Sequence, residues 1–578
     1  MRSTMMDVPL TVTALMRYGT SVYGERVVVT AAEDGTRCRT YAETGRRAAR
    51  LAGALRRLGV DGDQRIGTLM WNNAEHLEAY LAVPSMGAVL HTLNLRLDPA
   101  QLGYIAQHAG DYAIIVDGTL VPLLAKVLPA VSSVRHVIVT PGSDRTAAAD
   151  TSELEGEGRS VHAYEDLLAA EPDTFGWPDL DERSAAAMCY TSGTTGSPKG
   201  VAYSHRSTYL HSMGVCMGNT FSLSEHDRVL PVVPMFHANA WGLPYAAVLA
   251  GADLIMPDRF LQAGPLVRLI EAERPTLAGA VPTIWNEVLR HVRADGGDLS
   301  SLRLVPCGGS AVPHALQEAF ESELGVRILH AWGMTETSPL GSVAHAPAGT
   351  PDDQVWHYRD SQGRLSCTFE ARLMGDGGTA LPQDGQAVGE IEVRGPWVTG
   401  AYYKDDDTEK FHDGWLRTGD VGSIDPRGFI RLTDRAKDVI KSGGEWISSM
   451  ELENMLMAHP DVAEAAVIGV VDEKWGERPL AAVVRRPGAS VSAAELREFL
   501  RARVPRWQLP ERWSFIAEVP KTSVGKFAKT RMRESYARGD YEVVEVRLSS
   551  RSARFGTQLS NRTAGARVWL DTRLCDGR

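Results

Sequence analysis

Short β-branched runs alternate with amphipathic helical stretches from about residue 40 to 140, and again from about 184 to 340. This alternation limits the possible folds more than any other feature. Leu51, Leu55 and Leu58 recur at helical spacing within 40–60, and Gly59 ends that helix. RIGTLM (65–70) reads as a strand and NNAEHLEAYLAVPSMGAVL as a second helix. YAIIVDG (112–118) and VRHVIVT (134–140) are further strands, whereas residues 141–160 are small and polar, the pattern of an exposed excursion. Strands separated by helices build a largely parallel sheet covered on its faces. Between 365 and 433 the texture changes. EARLM, GEIEVRG and FIRLTD are short strands divided by Gly and Asp turns, which predicts an antiparallel, barrel-like subdomain.

A third texture begins near 435. SSMELENMLMAHP is helical with a capping pair, Ser448 and Glu451; AEAAVIGVVD and PLAAVVRR read as strands, and SAAELREFLRARV as another helix. The predicted organisation is a large N-terminal α/β unit of layered sheets (1–434), a small α+β unit (435–545), and an Arg-rich, flexible tail (546–578). A chain of 578 residues exceeds what one hydrophobic core serves, consistent with several packed units. The formal net charge of -11 argues against nucleic acid as the partner, since phosphate backbones need a basic face. The six cysteines are scattered without a C-x-x-C, which points away from disulfides and zinc and toward a reducing cytoplasm. The N-terminal segment lacks the pattern of a signal peptide, and no run of about 18 apolar residues suggests a membrane span. Membrane contact is expected to be peripheral at most, through the Arg-rich tail.

The most informative stretch is YTSGTTGSPKG (190–200), which follows an apolar run, AAAMCY, that reads as a buried strand. Glycines let backbone N–H groups approach an anion closely, hydroxyls donate further bonds, and Lys199 adds charge. Thr191, Ser192, Gly193, Thr194, Thr195, Gly196 and Ser197 thus suit a polyphosphate better than a plain surface loop. The loop is not a Walker A motif, because no Gly-Lys-Ser/Thr closes it at the required spacing. GDGGTA (375–380) superficially fits a dinucleotide glycine pattern, but it lies among short strands and reads as a turn.

YTSGTTGSPKG resembles the signature loop of the adenylate-forming superfamily, which includes acyl-CoA synthetases, peptide-synthetase adenylation domains and firefly-type luciferases. WGMTETSP (332–339), GWLRTGDVGSIDPRGFIRLTDRAKDVIKSGGEWIS (414–448) and PKTSVGKFAKTRMRE (520–534) follow in the family's order. The resemblance covers roughly 10–545. VPMFHANAWGLPYAA (233–247) and KSGGEWISSMELEN (441–454) look most like medium- and long-chain fatty acyl-CoA synthetases, and are also similar to methylmercaptopropionate-CoA ligases.

The resemblance implies an ATP-dependent acid–thiol ligase. An acid and ATP would give acyl-AMP and pyrophosphate, and CoA would then take the acyl group. Thr191 and Glu336 would meet Mg²⁺, which wants hard oxygen ligands. Trp332, where many relatives carry Tyr, would face the adenosine, with Gly333 and Met334 admitting the ring and Thr335 near the α-phosphate. Gly309 and Ser310 would line the same pocket, Gly309 also bordering the acid. Asp420 and Arg435 would meet the ribose, with Lys437 and Lys441 near the nucleotide. Lys526 is the expected main catalytic group, offsetting the repulsion between the carboxylate and the α-phosphate. His237 and Trp241 would form the acyl pocket as wall or gate, His237 close to the reacting groups, and Gly242 would leave the indole room to swing. Trp397 and Glu477 are placed near the interdomain face. The resemblance makes the small α+β unit mobile, with Asp434 the expected hinge; Gly443 and Gly444 would admit the pantetheine arm, and Trp446 would pack beside it. Relatives of this type imply a homodimer.

Two other readings fit part of the pattern. A stand-alone adenylation enzyme would load a carrier protein instead of CoA, although no carrier segment with a modifiable serine follows the small unit. A catalytically dead sensor of nucleotides would have lost the loop, Glu336 or Lys526, and all are present. The acyl chain length is not legible, with a medium- or long-chain fatty acid and a short substituted acid such as 3-methylmercaptopropionate both in view.

Overall fold

The computed structural model describes residues 1–142, 150–156, 158–191, 198–405, 407–443, 445–522 and 527–546. Among these, four sheets carry the fold. A seven-stranded sheet runs in the order Ser160–Ala163, His136–Thr140, Asp111–Asp117, Arg65–Leu69, Val89–Thr92, Ala185–Tyr190 and Gly200–Ser204. Its neighbours are parallel except the last pair, which is an antiparallel hairpin. A five-stranded sheet holds Leu277–Gly279, Arg228–Pro231, Asp253–Met256, Val27–Ala32 and Gly35–Thr40, again parallel up to its final antiparallel pair. The parallel, helix-covered character predicted from the alternation is therefore what the chain adopts.

The helices begin and end where local chemistry dictates. Thr40 caps Tyr41–Arg57 by accepting from the Glu43 N–H, and Leu51 and Leu55 point into the core. Asp98 caps Pro99–Ala109, and Gly110, at φ 73°, closes it in the left-handed region. The helix read across NNAEHLEAYLAVPSMGAVL is shorter than the sequence suggested. It spans Ala74–Ser85, Gly87 turns the chain at φ 94°, and Val89–Thr92 joins the sheet as a strand. Every residue of Ala74–Ser85 is buried, as expected for a helix between layers, and apolar content alone did not separate it from the buried strand that follows. Of the excursion at 141–160, most of the described residues are exposed, as expected, although Leu154 is buried and Ser160 opens an edge strand; 143–149 and 157 lie outside the described residues.

The third sheet joins the parallel pair Val305–Gly308 and Ile328–Gly333 to an antiparallel path through Leu340–Val343, Gly363–Leu365, Phe429–Arg435, Trp415–Ile424, Gly389–Arg394, Glu370–Met374 and Ala380–Leu381. The antiparallel texture of 365–433 is thus realised, and 375–380 is a turn entering an edge strand. The small C-terminal unit is a mixed sheet centred on Val462–Asp472 and Gly476–Arg485, packed by helices Ser449–Met457 and Ala493–Arg501. Ser448 caps the first of these through the Glu451 N–H, and Ser492 with Glu495 forms a full capping box on the second. No described helix is long and apolar enough to cross a membrane. Cys38, Cys189, Cys216, Cys307 and Cys367 are free thiols.

Candidate active site

The buried strand Ala185–Tyr190 delivers the glycine- and hydroxyl-rich loop, and the hairpin with Gly200–Ser204 brings the chain back beside it, Tyr190 opposite Gly200. The Thr191 N–H donates to the Lys199 carbonyl at 2.9 Å, and the Lys199 N–H donates to the Thr191 hydroxyl at 3.3 Å. Both ends of the loop are thereby fixed; Ser192, Gly193, Thr194, Thr195, Gly196 and Ser197 lie outside the described residues. The Lys199 ammonium pairs with Asp405 and sits 5.8 Å from the ring centre of Tyr402. The Tyr402 hydroxyl in turn donates to Glu336 Oε1 at 2.6 Å. Two sequence motifs, one with Lys199 and one with Glu336, thus meet through Tyr402 and Asp405. Neither residue had a signal in the sequence, because both lie in a polar stretch between motifs.

Strand Ile328–Gly333 ends in the second motif. A Cβ on Gly333 would lie 2.0 Å from the Pro339 carbonyl oxygen, so only glycine fits there. The chain then turns through Thr335–Thr337, with the Met334 N–H donating to the Thr337 hydroxyl and the Tyr203 hydroxyl to the Thr335 carbonyl. Trp332 donates its indole N–H to Asp420 Oδ2 at 2.7 Å, and Arg435 Nε pairs with Asp420 Oδ1 at 2.6 Å. The three expected nucleotide residues are therefore one cluster, with Trp332 and Asp420 buried and Arg435 partly exposed, and Asp420 raises the pKa of the Arg435 guanidinium further. Lys410, another group the sequence did not flag, faces Glu336 and Asp420 from a burying environment that lowers its pKa. Glu336 is 6 % exposed, and no hydrogen bond to its second oxygen is found among the described residues. Gly309 is half-buried at φ 83°, beside the exposed Ser310.

The segment expected at the acid follows strand Arg228–Pro231. Asn72 clamps its start, donating to the carbonyls of Pro231 and Val233 and accepting the Met235 N–H at 2.7 Å. Beyond half-buried His237, Ala238, Asn239, Ala240 and Trp241 all have positive φ, between 42° and 57°, and Gly242 continues at 72°. This is a left-handed helical turn, closed by Ala240 N–H to the His237 carbonyl and Gly242 N–H to the Asn239 carbonyl. Left-handed backbone costs an L-residue about 1–2 kcal/mol, so the turn is held by its surroundings. Trp241 packs on Gly279 and is 9 % exposed. A Cβ on Gly242 would lie 2.5 Å from the His211 ring, so the glycine lets that imidazole close the back of the turn. Burial pushes His211 down to about 3, and its Nε2 accepts the Leu340 N–H at 3.1 Å. Trp397 corrects the interdomain expectation. It is 3 % exposed inside the large unit, stacked edge-on against His211 at 5.7 Å, with its indole N–H on the Leu340 carbonyl. It also lines a cavity of about 200 Å³ with Gly214, Leu340, Val343 and Pro347.

At the expected hinge, Asp434 is buried, and its Oδ2 accepts the Ser449 N–H at 2.7 Å and the Ser449 hydroxyl. Lys529 donates to that hydroxyl and pairs with Glu453 at 2.8 Å. Burial lifts Glu453 to about 7 despite Lys529. Lys437 is exposed; the Lys441 N–H donates to Glu477 at 3.0 Å. Gly443, at φ 61°, donates its N–H to the Trp475 carbonyl, and a Cβ there would meet the Trp475 ring at 2.7 Å. Gly444, Lys526 and the side chain of Trp446 lie outside the described residues.

With this geometry in view, comparison with known proteins is direct. The AMP-binding enzyme family pattern matches residues 19–403, and that of the AMP-binding enzyme C-terminal domain matches 451–526. A medium-chain-fatty-acid–CoA ligase of Ectopseudomonas oleovorans is 41% identical over 537 residues, covering 92% of this chain and 97% of the relative. A 3-methylmercaptopropionyl-CoA ligase of Ruegeria lacuscaerulensis is 42% identical over 537 residues, covering 92% and 98%. The crystal structure of an anthranilate CoA ligase in complex with anthranoyl-AMP superposes with a TM-score of 0.81 at 25% identity, covering 92% of this chain and 99% of that one.

Proposed function

Since this chain belongs to the AMP-binding enzyme family and is an ATP-dependent acyl-CoA ligase, we propose that its acid is a medium- or long-chain fatty acid. One observation carries the choice: the side chains packed directly behind the left-handed turn, His211 and Trp397, carry no charge. His211 is neutral at physiological pH because burial holds it near 3, Trp397 stands against it, and the cavity that Trp397 also lines mixes apolar Leu340, Val343 and Pro347 with polar Asn219, Ser342 and His345. The guanidinium on that lining, Arg364, lies over the Phe429 ring. An apolar tail gains from such surroundings roughly 25 cal/mol for each Å² it buries, whereas a second carboxylate set against His211 and Trp397 would meet no opposite charge there. The E. oleovorans relative, a medium-chain-fatty-acid–CoA ligase, supports the same choice.

In this reading Thr191 and Glu336 supply hard oxygens to the Mg²⁺ of MgATP, which suits that ion's preference for few protein ligands and several waters. Trp332 and Asp420 receive adenosine and ribose; Asp420, already holding Trp332 and Arg435, keeps further lone pairs for hydroxyls. Lys526 bridges the carboxylate and the α-phosphate during adenylation. Asp434 is the hinge between units 1–434 and 435–545, about which the small unit turns to open the way for the thiol past Gly443 and Gly444. We place the enzyme in the cytoplasm, as a homodimer.

The R. lacuscaerulensis relative favours a second substrate, 3-methylmercaptopropionate, whose thioether tail is also apolar. Steady-state rates with CoA and a panel of unbranched acids of three to eighteen carbons, with 3-methylmercaptopropionate alongside, separate the two. The fatty-acid reading expects kcat/KM to rise with chain length to an optimum at eight carbons or more. An optimum at the short substituted acid overturns it, as does turnover only with an acyl-carrier protein as acceptor.

A further inference from the structure

The left-handed turn is the longest run of non-glycine residues at positive φ among the described residues; it follows His237 and ends at Trp241, two of the expected acyl-pocket residues. Ala and Trp have no preference for positive φ, and among its first four residues only Asn239 has one. What holds the turn is a buried polar clip. The Cys189 thiol donates to Asn239 Oδ1 at 3.1 Å, and the Tyr80 hydroxyl, anchored on the Met235 carbonyl, reaches the same oxygen at 3.5 Å. Thr92 lies 3.2 Å from the Cys189 sulfur. Asn239, Cys189, Thr92 and Tyr80 are all buried. Cys189 is the penultimate residue of strand Ala185–Tyr190, the strand that delivers Thr191. The clip therefore ties the wall bearing His237 and Trp241 to the strand that positions the phosphate loop.

We infer that Asn239, through Cys189, is a positioning residue that sets the acyl-pocket wall against the nucleotide strand and so determines which acid tails are accepted. Strained backbone persists only where its surroundings over-determine it, and such sites cluster at ligand clamps. With the clip released, Ala238–Trp241 can relax toward ordinary backbone, and His237 and Trp241 lose their fixed place. The inference rests on the fatty-acid reading above, and the ATP side of the site is left as it is.

The test is pyrophosphate–ATP exchange by the full chain with the acid panel, for Asn239→Ala, Asn239→Gly, Cys189→Ser and Cys189→Val. Asn239→Ala should raise KM for the preferred acid about tenfold or more, keep KM for ATP within about twofold, and flatten the chain-length profile. Asn239→Gly, which tolerates positive φ but lacks the amide, should fold as well as wild type and still lose chain-length discrimination. Cys189→Ser keeps a donor and should stay near wild type, whereas Cys189→Val should reproduce Asn239→Ala. If Asn239→Ala proves too unstable to assay, Asn239→Gly and the Cys189 pair decide the matter alone. Equal loss in KM for ATP, KM for acid and kcat, tracking a lowered Tm, overturns the inference by making the clip merely structural. An unchanged chain-length profile in Asn239→Gly and Cys189→Val overturns it as well. Failure of the parent reading would look different, because wild type itself would then prefer a short acid or activate none.

Discussion

At the scale of single residues, the proposed site is a set of charges suited to an anionic nucleotide. Lys526 is expected to act on the transferring group alone. Lys526→Ala should slow adenylate formation roughly 100-fold or more, the scale of losing one preorganised electrostatic contact. Thiolation of pre-formed acyl-AMP should suffer much less, and equal losses in the two half-reactions would contradict the role. Tyr402 supplies a second prediction. Its hydroxyl steadies Glu336 Oε1, which on the proposed reading would leave the other oxygen to meet Mg²⁺. A hydrogen bond to a charged group is worth about 1.5–3 kcal/mol, so Tyr402→Phe should lower adenylation about tenfold and raise the Mg²⁺ concentration for half-maximal rate. An unchanged Mg²⁺ titration would remove Tyr402 from the metal's support. The motif residues were legible because each motif is a run of unusual residue types in a fixed order. Tyr402, Asp405 and Lys410 were not, since a tyrosine or lysine in a polar loop carries no mark until the fold brings Lys199 and Glu336 beside it.

At the scale of elements, the hinge and the turn show how local sequence understates structure. Asp434 was legible as a position in a motif, but not as the group that holds Ser449 at the start of helix Ser449–Met457 and, through it, the buried Lys529–Glu453 pair. Asp434→Pro should fix φ at the hinge and block CoA transfer while adenylation continues. It should also lower Tm, since removing the carboxylate strips a buried hydrogen bond from that helix, a loss of about 1–3 kcal/mol. Unchanged overall turnover would refute the hinge. The left-handed turn at 238–241 was not legible, because its alanines and tryptophan favour ordinary backbone and the conformation is imposed by tertiary contacts. The helix–strand boundary near Gly87 escaped for a related reason: both elements are fully buried, so neither has an alternating pattern.

At the scale of the whole molecule, the two parallel sheets meet over a buried carboxylate pair. The Asn73 amide donates to Asp117 Oδ2 at 3.3 Å and Asp258 Oδ2 at 3.2 Å, and burial, aided by the Asp117 charge, pushes Asp258 up to about 7. The native state then keeps a proton that the unfolded chain releases. The stability tied to Asp258 is complete below the ordinary carboxylate range and is lost as pH rises through about 7. Asp258→Asn should therefore flatten the fall in Tm between about pH 5 and about pH 8, and parallel curves for the two proteins would contradict the assignment. Layered parallel sheets followed by a small α+β unit were legible from alternation alone, because hydrophobic periodicity survives in long amphipathic elements. How the sheets join was not, since it depends on contacts such as Asn72 with Pro231 and Met235, far apart in the chain.

The account stands on a carboxylate attacking the α-phosphorus of ATP, a step proposed to take place beside Trp332, Glu336 and Asp420. Oxygen transfer reads that step directly. With a fatty acid labelled with oxygen-18 in its carboxylate, one turnover to acyl-CoA should leave one labelled oxygen in AMP and none in pyrophosphate. AMP without label, or label appearing in phosphate or pyrophosphate, would contradict the account.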